Sequence, residues 1–551
     1  MPHYNYASLF FALLLIMGLP RHAESMGPND DPLRLNLDQR PADQAETVYG
    51  FRMQAAAGSA GETPFWLHSN RYGELERFSN NASLHLFGRT SRRIHPNWRL
   101  SGGADFMLRE SADGSLHFQE AWLRVQYRFL MLTVGRKAQP LGLLQPELTT
   151  GSVDRSRNAR PMPKITLATD GFRPVPGTSR VFRYHASLSH GWMDDDDFRF
   201  VDGVLLHEKY LYLRLFADDA PVVPRAGLIH FAQWGGDSPV HGQAPQNLKA
   251  WRDVFFSMAS DSREILEGGE LANRFQNHVG AYDFSLMLNL GLYRVIMNRQ
   301  FILEDTPNAR FGTPLDGLWG LTLERRPDGR TSWLRDLSSS RYDGFRPLLR
   351  AVHYEHLNTR DGLNRYSHRD ETNYFNYYNH SSFRGGWTYE GRVIGNPLFF
   401  SHPDYLGVVN NLLIGHHIGA MGHLGPADWR IFSTYTRNHG ASRVAQKEDG
   451  ARVLRSNERR DQWSFLVEIS GPVNEIAGWL TGRRASGRSG GPASAAGAGS
   501  AQAGQARQPA SGRSPFSALK GLQANLALAY DTGEVYPDQF GVLFGLRWTM
   551  R

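Results

Sequence analysis

The chain has 551 residues, 61 Lys and Arg against 54 Asp and Glu, and no cysteine. The missing cysteine excludes a disulfide framework, thiolate chemistry and a lipid-modified cysteine anchor. The net charge of +7 rests mainly on arginine, whose planar fork suits carboxylates, phosphates and sugar hydroxyls. An anionic partner is one reading of that bias and a GC-rich genome is the other.

Ala7 to Leu19 is a compact apolar run, shorter than the roughly 20 residues of a membrane helix. Ala23 and Ser25 follow at signal-peptidase spacing, so residues 1–25 are expected to be a signal peptide cleaved near Met26. Residues 26–46 are polar and acidic and read as a short periplasmic lead-in. A first strand is expected from Thr47 to Ala57, with Tyr49, Phe51, Met53 and Ala55 facing out.

From there to residue 481 the chain alternates in short segments divided by Gly, Pro, Asn and Asp. Ala121, Leu123, Val125, Tyr127 and Phe129 oppose Glu120, Arg124, Gln126 and Arg128. Phe182, Tyr184, Ala186 and Leu188 oppose Arg183, His185, Ser187 and Ser189. Tyr282, Phe284, Leu286, Leu288 and Leu290 oppose Asp283, Ser285 and Asn289. Trp463, Phe465, Val467 and Ile469 oppose Gln462, Ser464 and Glu468.

Residues 482–515 break the pattern with a Gly/Ala/Ser/Arg/Gln-rich tract that cannot form a core. Residues 516–551 then supply two last strands. Leu522 to Tyr530 alternates, and Phe540, Val542, Phe544, Leu546 and Trp548 form one greasy face ending three residues from the C-terminus.

An exported chain with this dyad repeat and no apolar helix is expected to be all-β, a large transmembrane antiparallel barrel of the Gram-negative outer membrane. Roughly 450 residues remain after the signal, lead-in and tract, enough for on the order of 16 to 20 strands. A large soluble all-β protein would alternate in the same way. With both termini periplasmic, the 482–515 tract falls in a periplasmic connection, unusually long for that side. Nucleic acid does not fit an exported barrel, and outer-membrane lipid and the barrel-assembly machinery are its expected partners.

Chemistry-bearing motifs are sparse. His416, His417 and His423 cluster, but adjacent strand residues point to opposite faces, so His416 and His417 chelate poorly. No HExxH or Cys/His ligand set occurs, and neither metal nor cofactor is expected. Asp194 to Asp197 could draw Ca²⁺ or form a solvated turn. Outside the 482–515 tract no Gly-x-Ser-x-Gly elbow occurs, and no convergent Ser–His–acid trio is evident, so an enzyme is not expected.

The aromatic-rich stretch 361–391 is the candidate ligand region. Tyr366, Tyr374, Phe375, Tyr377, Tyr378, Trp387 and Tyr389 lie among Asp370, Asn373, Asn376 and Arg384. Sugar C–H faces stack on such rings, and sugar hydroxyls pair with such polar groups. An interfacial aromatic girdle with a polar loop explains the same composition.

Two blocks carry a family resemblance. Glu62-Thr-Pro-Phe-Trp-Leu-His-Ser-Asn-Arg-Tyr-Gly73 resembles the segment near the start of Wzi-family capsule-assembly proteins, particularly Bacteroidetes-type members. The second block is Tyr354 to Arg360, Asn373 to Tyr378, Gly386 to Gly391 and Ile394 to Leu398. Gly320 to Glu324 and Leu528 to Asp531 fit as well. The resemblance implies a barrel of about 18 strands that anchors capsular or exopolysaccharide as a lectin-like protein, and a monomer is expected. Residues 26–46 are too short for the helical bundle that plugs the family prototype from its periplasmic side. The second reading is an anion-preferring porin with an Arg-lined interior.

Overall fold

The computed structural model describes residues 46–481 and 521–550, apart from 113, 140, 179–180, 258–274, 305–307, 309, 327–346, 363–375, 442, 449–451 and 455–457. The expected signal peptide, the lead-in up to residue 45 and the 482–515 tract lie outside the described residues.

Alternation builds the wall. Eighteen antiparallel strands form one sheet closed on itself. In chain order they are β1 (Glu46–Gly58), β2 (Asn81–His95), β3 (Trp98–Glu110), β4 (Ser115–Tyr127), β5 (Leu130–Arg136) and β6 (Pro163–Thr169). Next come β7 (Phe182–Trp192), β8 (Leu205–Leu215), β9 (Val222–Trp234), β10 (Gln276–Leu290), β11 (Tyr293–Leu303) and β12 (Gly317–Arg325). The last six are β13 (Ala351–Asn358), β14 (Leu413–Leu424), β15 (Ala427–Asn438), β16 (Arg460–Pro472), β17 (Leu522–Gly533) and β18 (Gln539–Met550). Each strand pairs with its neighbours in sequence, and β1 pairs with β18 to close the ring. Closure leaves no unpaired edge, which lipid would not tolerate.

The seam brings Phe51 opposite Trp548, their rings stacked at 5.9 Å. Gly50 sits beside them. A Cβ there would come within 2.0 Å of the Trp548 carbonyl oxygen, so the seam needs glycine.

The outward faces match the sequence pattern. Met53, Leu123, Leu228, Val467 and Phe544 all stand exposed on the outer wall. One boundary differs: the segment expected to reach Phe129 ends at Tyr127, because Arg128 turns the chain at a φ of 52°.

The two barrel ends are unequal. One carries the tight connections 96–97, 128–129, 291–292 and 425–426, besides 216–221 and the longer 170–181, 326–350 and 473–521. The tract 482–515 belongs to the last of these. The other end carries 59–80, 137–162, 193–204, 235–275, 304–316, 359–412 and 439–459, besides the short 111–114 and 534–538.

Long loops 59–80, 137–162, 193–204 and 359–412 contribute to a hydrophobic core that lies in the lumen. Phe65, Trp66, Leu67, Leu148, Val153, Trp387, Tyr389 and Phe399 are buried there together. One segment goes the other way. The helix Leu248–Phe255, capped by the Asn247 side chain on Ala250 N at 3.0 Å, lies outside the wall. Its Val254 packs on outward-facing Ala232 and Trp234 of β9, and Lys209 of β8 holds its ammonium 4.0 Å over the Phe255 ring.

Candidate functional site

The lumen filling is built in layers. Short helix Phe65–His68, from the first resemblance block, lies on the inner wall. Trp66 donates its indole N–H to Thr434 Oγ1 at 3.0 Å and packs 4.7 Å from the Phe432 ring. Phe65 N donates to the Asp531 carboxylate at 2.8 Å. His68 is kept neutral because burial pushes its pKa well down, and its Nδ1 lies 3.0 Å from the Thr63 carbonyl.

Loop 137–162 crosses the barrel interior and is fastened to four strands. Leu143 N donates to Asp283 of β10 at 3.1 Å, and Val153 N to Gln300 of β11 at 3.1 Å. Thr150 N and Oγ1 donate to Glu355 of β13 at 2.8 and 2.6 Å. Arg155 pairs with Glu208 of β8 at 3.0 Å. Within this loop Asp154 is driven well toward its protonated form by burial and by the nearby Asp283 charge.

The described end of the aromatic stretch, 376–391, lies on top of that loop. Trp387 donates to the Asp154 carbonyl at 2.7 Å, and the Tyr378 hydroxyl donates to the Val153 carbonyl. Tyr377 donates to Asp316 at 2.7 Å, and Asp316 is raised to about 6 because burial outweighs its donors. The Tyr389 hydroxyl meets Arg136 and Asp194. All four rings are essentially inaccessible. They are neither an outer girdle nor an open stacking surface but the packing of the lumen. Asn376 and Arg384 stay half-buried, Asn376 accepting from Asn411 at 2.8 Å and Arg384 stacking 4.2 Å over Phe200. Tyr366, Asp370, Asn373, Tyr374 and Phe375 lie outside the described residues.

The exposed rings at the long-loop end come from elsewhere. Phe78 stands open at 40% exposure, with the Arg77 guanidinium 4.5 Å over its ring and the His402 ring edge-on at 5.8 Å. Tyr405 lies 6.0 Å beyond His402. Arg77 also covers Tyr536 at 4.4 Å, so one cation organises rings from loops 59–80 and 534–538. Phe198 forms a second exposed ring, with the Lys447 ammonium 5.4 Å away. None of these was singled out from sequence. They are isolated aromatics in separate loops, and only the fold joins them.

Three of the four acids of the 194–197 run are spent within the chain. Asp194 meets Arg136, Asp195 grips Arg199, and Asp196 accepts from Gly203 N at 2.9 Å. Among the described residues no three His, Asp or Glu side chains form a metal-holding group.

Among solved structures, Wzi of Escherichia coli is similar over 90% of this chain and 83% of its own, at 14% identity and a TM-score of 0.50. The chain has the fold of an outer-membrane β-barrel. That Wzi protein is described as an outer-membrane protein involved in group 1 capsule assembly and as a carbohydrate-binding β-barrel. OpdL of Pseudomonas aeruginosa aligns over 92% of this chain and 99% of its own, at 9% identity and a TM-score of 0.41. OccAB4 of Acinetobacter baumannii aligns over 94% and 100%, at 9% identity and 0.39. No family profile and no curated protein matches the sequence. The Bacteroidetes-type subdivision therefore rests on the sequence blocks alone.

Proposed function

We propose that this is a Wzi-like outer-membrane barrel that binds capsular or exopolysaccharide at the cell surface and holds it there without covalent chemistry. The observation that supports it most is the packed lumen beneath a face of exposed rings and cations. Tight turns mark the periplasmic end of such barrels and long loops the extracellular end, so Phe78, His402, Tyr405 and Phe198 face outward from the cell. Rings with adjacent guanidinium and imidazole groups suit sugar faces and hydroxyls. On this reading Trp387, Tyr377, Tyr378 and Tyr389 support the binding face from below, while Asn376 and Arg384 stand nearest to it. The exported chain meets outer-membrane lipid along its wall, reaches it through the barrel-assembly machinery by way of β18, and works as a monomer.

The alternative, an anion-preferring channel, requires a continuous water path, and loop 137–162 stands across it. Two measurements separate the readings. Purified protein should co-sediment with the cell's own surface polysaccharide, and the Phe78→Ala/His402→Ala variant should lose most of that binding while keeping its melting temperature. Planar-bilayer recording should show no steady conductance. Stable anion-selective steps without polymer binding would replace the anchor with the channel.

A further inference from the structure

The periplasmic half of the lumen holds a cavity that the extracellular face does not use. The inner faces of β7, β8 and β9, the turn 170–181 and the crossing loop border a half-open cavity of about 350 Å³. That volume falls within the roughly 300–1,000 Å³ of small-molecule sites. Phe172, His185 and Tyr210 supply rings, and Arg157 and Arg225 supply two guanidinium groups.

Neither arginine forms an ion pair with a described carboxylate. Several buried guanidiniums in the lumen do: Arg52 with Glu74 at 2.8 Å, Arg71 with Glu468 at 3.3 Å, Arg155 with Glu208 at 3.0 Å. Arg225 hydrogen-bonds the Ser285 hydroxyl, at 2.9 Å, while the Asp218 and Asp283 carboxylates act on it from beyond ion-pair distance, and its Nε has no partner. Arg157 has no carboxylate partner among the described residues. Arginine cannot shed its proton, and both half-buried guanidiniums keep donors that no carboxylate takes up. An anion entering between them would take up those donors in charge-assisted, forked hydrogen bonds. The Tyr210 hydroxyl is held by His185 at 3.1 Å, which fixes its ring as a wall of the cavity.

We propose that this cavity binds an acidic saccharide unit, with Arg157 and Arg225 gripping its carboxylate or phosphate and Phe172 and Tyr210 lying against its ring. The site is separate from the extracellular face, so each can fail without the other.

Calorimetric titration of the full-length barrel in detergent tests it, with glucuronate, glucose 6-phosphate, inorganic phosphate and glucose as probes. One or both sugar acids should bind, their difference identifying the anion, and glucose should not. Arg225→Gln and Arg157→Gln should each weaken binding at least about tenfold, the weight of one charge-assisted hydrogen bond. The melting temperature of the unaltered protein should rise with the sugar acid and not with glucose, a readout independent of whether the variants fold. Absence of binding by both acids overturns the proposal. So does glucose or bare phosphate binding as tightly, or full affinity in folded Arg225→Gln. The Phe78→Ala/His402→Ala variant should bind the sugar acid normally, whatever happens to its polymer binding.

Discussion

The Trp387 indole N–H donates to the carbonyl of Asp154 at 2.7 Å, tying two loops that lie 233 residues apart in the chain. Trp387 is completely buried and faces Phe231 of the wall at 6.0 Å. Removing so large a side chain from a packed interior costs about 3–5 kcal/mol. Trp387→Ala should therefore lower the melting temperature markedly, as followed by circular dichroism, while polymer affinity measured well below the transition changes little. A loss of affinity without loss of stability would make Trp387 a contact residue.

Glu355 receives both donors of Thr150 and is itself almost fully buried. Glu355→Gln turns one accepting oxygen into a donor facing another donor, a mismatch of about 1–3 kcal/mol. The crossing loop should then leave its seat part of the time. Single-molecule bilayer recording should show brief conductance steps in the variant that the parent protein lacks.

The stretch around Trp387 also marks the limit of what the sequence discloses. Dyad alternation identifies the wall, because lipid on one side and lumen on the other impose a period of two that survives in the residues themselves. A loop folded into the lumen has no period. Tyr377, Trp387 and Tyr389 look the same in sequence whether they line a membrane interface, hold a sugar or pack a core. Their partners Asp316, Asp154 and Asp194 lie far away in the chain and carry no local mark. Phe78 and His402 were illegible for the same reason, since neither has a neighbour in sequence that predicts the other. The first resemblance block singled out Phe65 and Trp66, and the fold explains them as lumen packing against Thr434 and Phe432.

Asp316 gives the interior a pH dependence. Burial raises its carboxyl to about 6, and Asp154 is displaced in the same direction. The folded protein thus holds these protons more tightly than the unfolded chain does. Their contribution is fully present below about pH 4, the ordinary aspartate value, and is lost as pH rises through about 6. Thermal stability should fall between those values, and Asp316→Asn should flatten the profile. An unchanged slope in the variant would place the titration elsewhere.

The barrel seam is a point of failure. Any Cβ at Gly50 meets the Trp548 carbonyl oxygen at 2.0 Å, a backbone atom that no rotamer change can move. Gly50→Val should fail to close, and the protein should migrate as unfolded in unheated detergent gels. Gly61, whose Cβ would meet nothing within 4 Å, has a φ of +79° and lies in the first loop. Gly61→Asn should close normally, since asparagine tolerates that backbone region.

The helix Leu248–Phe255 has a consequence for how the molecule sits in its bilayer. Lys209, His230 and His278 take outward positions on β8, β9 and β10, with His230 and His278 linked at 2.9 Å. Below them the greasy wall resumes at Leu211 and Leu228, while on β18 it runs unbroken from Phe540 to Trp548. One outward rung lost on a tilted strand is roughly 5 Å of height. The waterline around this protein is therefore uneven. On the helix side the outer leaflet dips or the whole cylinder leans, and exposed Leu248 and Phe256 ride at that lowered edge.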